Sequence, residues 1–360
     1  MVKKIGLWIV GHPWQITTGM LAFALGAVLV LDGGDPNVTT TTSTSTTAGV
    51  TTTEGPSEPG ATVTTSTTAA PVGEGTNPFT GEPGVGGNLV VVKVDNAPAA
   101  RPQIGLAPAG LIIEVLVEGG LTRFTALYLN QFPNLVGPVR SLRPVDADLL
   151  APFPGTVIAT GGQRHVVGSV AATGNLVADP QITGLLQALE RPTPHHLFAS
   201  IENAPSGVPL GESPPWLYGD WVGGDPATSI SIALGVETAE WRWDGAAWLR
   251  YSGGAPTDVL DEVGGSVNAL GRETVIVLSV NQKSAGYTDS EGADVPDFDV
   301  VGGGELWILH NGEVVEGAWS RQTQVDPWIF TTSEGDGLLV PRGPLCLVVM
   351  PTGSSFTISP

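Results

Sequence analysis

Between Leu89 and Asp146, short apolar runs that read as buried strands carry charged side chains that a purely structural core has little reason to hold. The run LVVVKVDNAPAARPQIG sets Asp95, Asn96, Arg101 and Gln103 at the end of a strand. IIEVLVEGGLTRF places Glu114, Glu118 and Arg123 on or beside the next one, and GPVRSLRPVDADLL adds Arg140, Ser141, Arg143 and Asp146 at a loop-to-helix boundary. In a chain that is only 14% charged, this concentration of carboxylates and guanidiniums marks a candidate site.

Residues 89–94, 111–117, 124–129 and 156–160 read as strands, since each is short, apolar or β-branched, and bounded by Gly or Pro. A helix is expected after Ser141, through Val145, Leu149 and Leu150, and a second over 183–191 with Thr183 as its N-cap. From Trp216 the texture changes. Asp244-Gly245 and Asn311-Gly312 each sit between strand-like flanks and signal hairpins, and TVIVLSV and PLCLVVM supply continuous apolar strands. The expected fold is α+β or mixed α/β: a mixed-sheet α/β domain over 77–215, with more sheet than helix, followed by a β-rich domain over 216–360. Seven of the ten tryptophans lie between Trp216 and Trp319. They read either as cross-strand packing in a modest β core or as platforms for sugars.

Ahead of these domains the chain reads as an anchor and a spacer. After Lys3 and Lys4 the stretch ITTGMLAFALGAVLVL carries no charge, and Asp32 and Asp35 follow it. Its length of roughly 24 Å, extended by Trp14 and Gln15, suits a membrane helix over 15–32. The charge asymmetry puts residues 1–14 in the cytoplasm and the globular part outside. Ala22-Phe23-Ala24 offers the competing reading, a cleaved signal peptide. Residues 33–76 are mostly Thr, Ser, Ala and Gly, a composition that buries too little apolar surface to fold. They are expected to form a disordered extracytoplasmic linker.

The net charge of -20 and the pI of about 4.4 argue against nucleic acid as a partner. The only cysteine, Cys346, lies among apolar neighbours and reads as a buried, inert thiol. No thiolate metal site or internal disulfide is open to this chain, and no EF-hand-like loop, Walker loop, GxSxG, HExxH or dinucleotide fingerprint occurs. No cofactor is implied.

Each charged group has a structural and a functional reading. Asp95-Asn96 either caps a turn or sits in a site. Glu114 and Glu118, four apart, share one face of a continuous strand, the arrangement needed for paired acid and base carboxylates; otherwise they pair with Arg123 and Arg101. Arg140 and Arg143 flank Ser141 where a loop enters a helix, so guanidiniums and free N-terminal amides together suit a phosphate or carboxylate. His195, in RPTPHHLF, reads as a general acid or base or as a structural histidine. Adjacent His195 and His196 point opposite ways in extended chain and make a poor metal chelate.

These residues resemble the YerB-like family of extracytoplasmic bacterial proteins of unknown function. The resemblance is carried by VDN with RPQIGL, then EVLVEGGLTRF, GPVRSLRP, RPTPHHLF and, towards the C-terminus, GGGELWILHNGEVVEGAW. It implies an α/β domain joined to a β-rich domain and an envelope location. Many relatives have asparagine where this chain has His196, and a lipid-modified cysteine where this chain has the expected membrane helix.

The sequence thus points to a membrane-anchored extracytoplasmic binding or accessory protein. A cleft lined by Asp95, Arg101, Glu118, Arg123, Arg140 and Arg143 would hold an anionic or glycan-like envelope ligand, or an envelope protein. Asn96 and Ser141 count among the binding residues. The alternatives are an envelope hydrolase or transferase, with Asp95, Glu114, Glu118 and His195 as catalytic groups, and a charged network that is purely structural.

Overall fold

The computed structural model describes residues 76–83, 87–178, 184–206, 208 and 214–360. The expected membrane helix, and the expected linker apart from Thr76, lie outside the described residues. Among those residues no helix is long and apolar enough to cross a membrane.

The N-terminal part supplies strands β1 (Leu89–Asp95), β2 (Leu111–Leu116), β3 (Thr122–Leu129), β4 (Thr156–Ile158) and β5 (Leu176–Ala178). Its α-helices are short, α1 (Asp146–Leu150) and α2 (Arg164–Ala172). The C-terminal part supplies β6 (Ser229–Leu234), β7 (Glu237–Trp243), β8 (Trp248–Ser252), β9 (Thr274–Val280), β10 (Gln282–Thr288) and β11 (Asp294–Phe298). It continues through β12 (Gly302–His310), β13 (Glu313–Arg321), β14 (Ile329–Thr332), β15 (Leu345–Pro351) and β16 (Phe356–Ser359). The described chain is therefore mostly β-sheet, with less helix than a mixed α/β reading implies. Over 183–191, where a helix is expected, Leu186–Ala188 instead forms a strand antiparallel to Leu197–Ala199. The local helix preference of LLQALE is overridden by pairing with the returning segment, and Thr183 lies outside the described residues.

An eleven-stranded sheet runs in the order β14-β13-β12-β9-β15-β2-β3-β1-β4-β5, with Asp225–Pro226 paired on β13. Strands from both sides of Trp216 share it. β15 lies parallel to β9 on one side, Thr274 opposite Leu345, and parallel to β2 on the other, Leu345 opposite Leu111. The sequence explains why these central strands have no polar face. Both sides of the sheet are covered, so alternate residues enter two different cores. Val91, Ile113 and Leu347 join α1, α2 and Trp216 in one core; Val92, Ile112 and Val348 join Trp241 and Trp248 in the other. Trp216, Trp241, Trp248, Trp319 and Trp328 are all buried, which supports the packing reading for these five.

The second core is closed by a six-stranded sheet that contains β8-β7-β6-β16. The β12–β13 hairpin turns on Asn311 and Gly312, with φ of +52° and +74°. That left-handed pair is what a tight two-residue turn demands.

Glu114 follows Ile112 on the face that looks toward this second sheet. It is fully buried, and its carboxylate accepts from Arg250 of β8, at 2.8 Å from Nε and 2.6 Å from Nη2. Thr122 Oγ1 donates to it at 2.9 Å, and Arg250 Nη1 donates to Thr257 Oγ1 at 2.8 Å. The two sheets are thus joined by a bidentate ion pair held out of water. Removing one partner strands a buried charge. Arg250→Ala is expected to lower stability by about 3–5 kcal/mol in urea unfolding; a loss below about 1 kcal/mol, the range of an exposed pair, would contradict this role.

Candidate functional site

β1 ends at Asp95, directly opposite Arg123 at the start of β3. The segment carrying Arg140 runs alongside: the Asp95 amide donates to Pro138 O at 2.8 Å, and the Arg140 amide donates to Lys93 O at 2.9 Å. β2 stops at Leu116, and the chain folds back through Gly119 and Gly120, both with φ of +69°. A side chain at Gly120 would press on Val236, 2.8 Å from the position of its first carbon. This double left-handed turn takes Glu118 out of the strand. Glu114 and Glu118 therefore do not share a face, and the expected carboxylate pair is not formed: Glu114 is committed to Arg250, while Glu118 lines a cleft.

The cleft encloses about 590 Å³ and is lined by Asp95, Glu118, Arg123, Arg140, Ser141, Arg143 and His195 from the N-terminal part. The β10–β11 hairpin also lines it, with Tyr287 from the end of β10 and Asp289 and Glu291 from the turn. The sequence contains no local signal for this wall, because only the tertiary fold brings the β10–β11 hairpin to the cleft. Arg101 and Asn96 are elsewhere: Arg101 is bound to Glu237 of β7 at 2.5 Å, and Asn96 Nδ2 donates to Thr122 Oγ1 at 2.7 Å. Neither lines the cleft.

The three cleft arginines differ in what their donors do. Arg123 donates to Glu118 Oε1 and to Ser141 O, both at 2.8 Å. Arg143 donates from Nε to Glu118 Oε2 at 2.6 Å, from Nη2 to Glu118 Oε1, and from Nη1 to Leu142 O at 2.8 Å. Arg140 meets Asp95 Oδ2 only through Nε, at 3.0 Å and without hydrogen-bond alignment. Its terminal nitrogens have no partner among the described residues. His195 Nδ1 lies 2.8 Å from the same Asp95 oxygen, while Asp95 Oδ1 accepts the Ala97 amide at 3.0 Å.

The backbone amide expected to bind an anion beside these arginines is not free. The Arg143 amide there is already taken by the Asp146 carboxylate at 2.7 Å, and Asp146 is held in turn by Lys93 at 2.6 Å. Ser141 Oγ stands 3.5 Å from Thr160 Oγ1. Among the described residues no group of three or more His, Cys, Asp or Glu could hold a metal ion.

Burial acts to raise the Glu118 carboxyl, but the Arg143 hydrogen bonds and the charges of Arg123 and Arg143 outweigh it and bring it down to about 2. Burial, aided by the like charge of Arg143, lowers Arg123 to about 10. Burial raises the Tyr287 hydroxyl and pushes Cys346 up, in keeping with an inert thiol.

Residues 79–209 match the family described as "Protein of unknown function (DUF3048) N-terminal domain", and residues 230–345 match its C-terminal domain. The chain belongs to the DUF3048 family. It is 28% identical over 287 residues to "Putative lipoprotein YerB" of Bacillus subtilis (strain 168), covering 75% of this chain and 83% of that one. Its fold matches the crystal structure of the YerB protein from Bacillus subtilis with a TM-score of 0.65 at 22% identity, over 78% of this chain and 99% of the other. The YerB-like resemblance read from the sequence is therefore upheld. In DUF3048 terms, the arginines and His195 come from the N-terminal region, and the facing hairpin comes from the C-terminal region.

Because the Glu118 carboxyl is depressed from 4.5 to about 2, the stability it contributes is full above pH 4.5 and is lost as pH falls through about 2. That contribution is about 3 kcal/mol. The stability gap between the parent and Glu118→Gln, read by denaturant unfolding, is expected to close by about this amount between pH 5 and pH 2. A gap independent of pH would rule out an ionised Glu118 as the clamp of Arg123 and Arg143.

Proposed function

We propose that this chain is a membrane-anchored extracytoplasmic protein whose cleft binds an anionic, sugar-like ligand of the cell envelope. The observation that carries the binding reading is Arg140. Arg123 and Arg143 direct their nitrogens into Glu118 and backbone carbonyls, whereas Arg140 lines the cleft with no hydrogen-bond partner for its terminal nitrogens among the described residues. A guanidinium fork of this kind matches the oxygens of a phosphate or carboxylate. The hairpin wall contributes Asp289 and exposed Glu291, which suit hydroxyl or amino groups on the remainder of the ligand. A phosphorylated or carboxylated sugar combines both features.

Location is supported by the lipoprotein description of the Bacillus subtilis relative and by the charge pattern around 15–32. In this reading a single helix anchors the chain with its N-terminus in the cytoplasm, and the Thr-rich stretch holds the cleft away from the membrane. In this reading the helix does the work that a lipid anchor does in a lipoprotein.

Titration calorimetry with inorganic phosphate and with N-acetylglucosamine 6-phosphate tests the binding. Arg140→Ala is expected to weaken both by at least about tenfold, the value of one charge-assisted hydrogen bond, with Arg140→Lys intermediate. Equal affinity in parent and Arg140→Ala would remove the basis of the reading.

A further inference from the structure

The base and the anion contact of this cleft hang from a single atom. Asp95 Oδ2 lies 2.8 Å from His195 Nδ1 and 3.0 Å from Arg140 Nε. An ionised carboxylate only accepts hydrogen bonds, so the proton between Asp95 and His195 belongs to Nδ1. Neutral His195 then carries its lone pair on Nε2. That nitrogen has no partner among the described residues, and the ring lines the cleft. The neighbouring His196 differs: its Nδ1 is buried without a partner, and it does not line the cleft.

We propose that the cleft hydrolyses a phosphoester, with His195 Nε2 as general base and Asp95 as the residue that positions it. This inference rests on the anion-binding reading above. Because the imidazole and the guanidinium both hang from Asp95 Oδ2, the proton acceptor stands beside the bound anion rather than beside a remote part of the ligand. A phosphoryl group is an anionic group that is itself a reacting centre, and its oxygens match the guanidinium fork of Arg140.

In the step, Nε2 takes a proton from water as the water oxygen bonds to phosphorus. The bond from phosphorus to the leaving alcohol oxygen breaks, and the imidazolium returns its proton to that oxygen. One ester and one water give one phosphate and one alcohol, with no redox partner. Arg140 stabilises charge on the non-bridging oxygens, and Asp95 stabilises the imidazolium that forms. The other titratable groups lining the cleft are Glu118, Arg123, Arg143, Tyr287, Asp289 and Glu291.

The test uses the full chain with bis(p-nitrophenyl) phosphate and p-nitrophenyl phosphate, followed by nitrophenolate release between pH 5 and 9. Phosphate affinity is measured alongside by calorimetry. The parent is expected to turn over at least one ester. His195→Gln is expected to lose turnover by about 100-fold or more while keeping phosphate affinity within about twofold. Asp95→Asn is expected to lower turnover and displace the pH profile, which a merely structural carboxylate would not do. Nitrogen-15 spectra of the unmodified chain provide a readout independent of any variant's folding, and they are expected to show the Nδ1–H tautomer at His195. A parent that binds phosphate but hydrolyses neither ester, a His195→Gln variant as active as the parent, or an Nε2–H tautomer overturns the inference and leaves the binding proposal intact. A parent that binds no phosphate overturns both.

Discussion

Strand β15 is the piece on which the architecture depends. It fills the slot between β9 and β2 with parallel pairing on both sides, so the N-terminal strands and the β9–β12–β13 group become one sheet with a continuous core on each face. Parallel pairing suits only strands covered on both sides, and LCLVVMP is buried along its whole length. Without it, β2 and β9 would each present an unpaired apolar edge. The cleft depends on the same strand, because its two walls belong to regions that β15 holds in one sheet.

The buried charges obey a second constraint: each carboxylate drawn into the interior has its own cation. Glu114 has Arg250, Asp146 has Lys93, and Glu118 has both Arg123 and Arg143. Such pairs gain little net stability over apolar replacements, yet an unmatched member is costly. They therefore fix which surfaces meet more than they strengthen the whole. Asp95 stands apart from this pattern. It serves an arginine and a histidine at once, and both of those residues line the cleft.

Much of the local structure was legible in the residues. LVVVKVD, TVIVLSV and LCLVVMP announce their strands by unbroken apolar character, and Asn311-Gly312 announces its turn by its need for left-handed backbone. The placement of β15 beside β2 has no such announcement, since parallel partners far apart in sequence leave no local mark. Helix α2 was hard to read because Gly168 interrupts its apolar repeat and Gly161-Gly162 just before it signal a turn. LLQALE misleads in the other direction, with helical preference but strand pairing. At the site, Asp95, Glu118, Arg123, Arg140, Arg143 and His195 could be gathered from sequence because they are charged or titratable residues at strand ends and in the loops between short apolar runs, two of them, Asp95 and Arg123, on neighbouring strands. The Glu114–Glu118 pairing failed because it needs a strand continuous through Glu118, whereas β2 ends at Leu116. The hairpin carrying Tyr287 and Asp289 could not be foreseen, because only the tertiary fold brings it across.

The position of β15 along the chain also orders events in time. A polypeptide synthesised N-terminus first delivers β1 through β4 long before β15, so β2 must wait with one edge open. Loop closure over so long a span is slow compared with forming a hairpin, and open apolar edges invite pairing with other chains. The cleft is then among the last features to be completed, and a chain interrupted before Leu345 would have both walls in its sequence but nothing to hold them opposite each other.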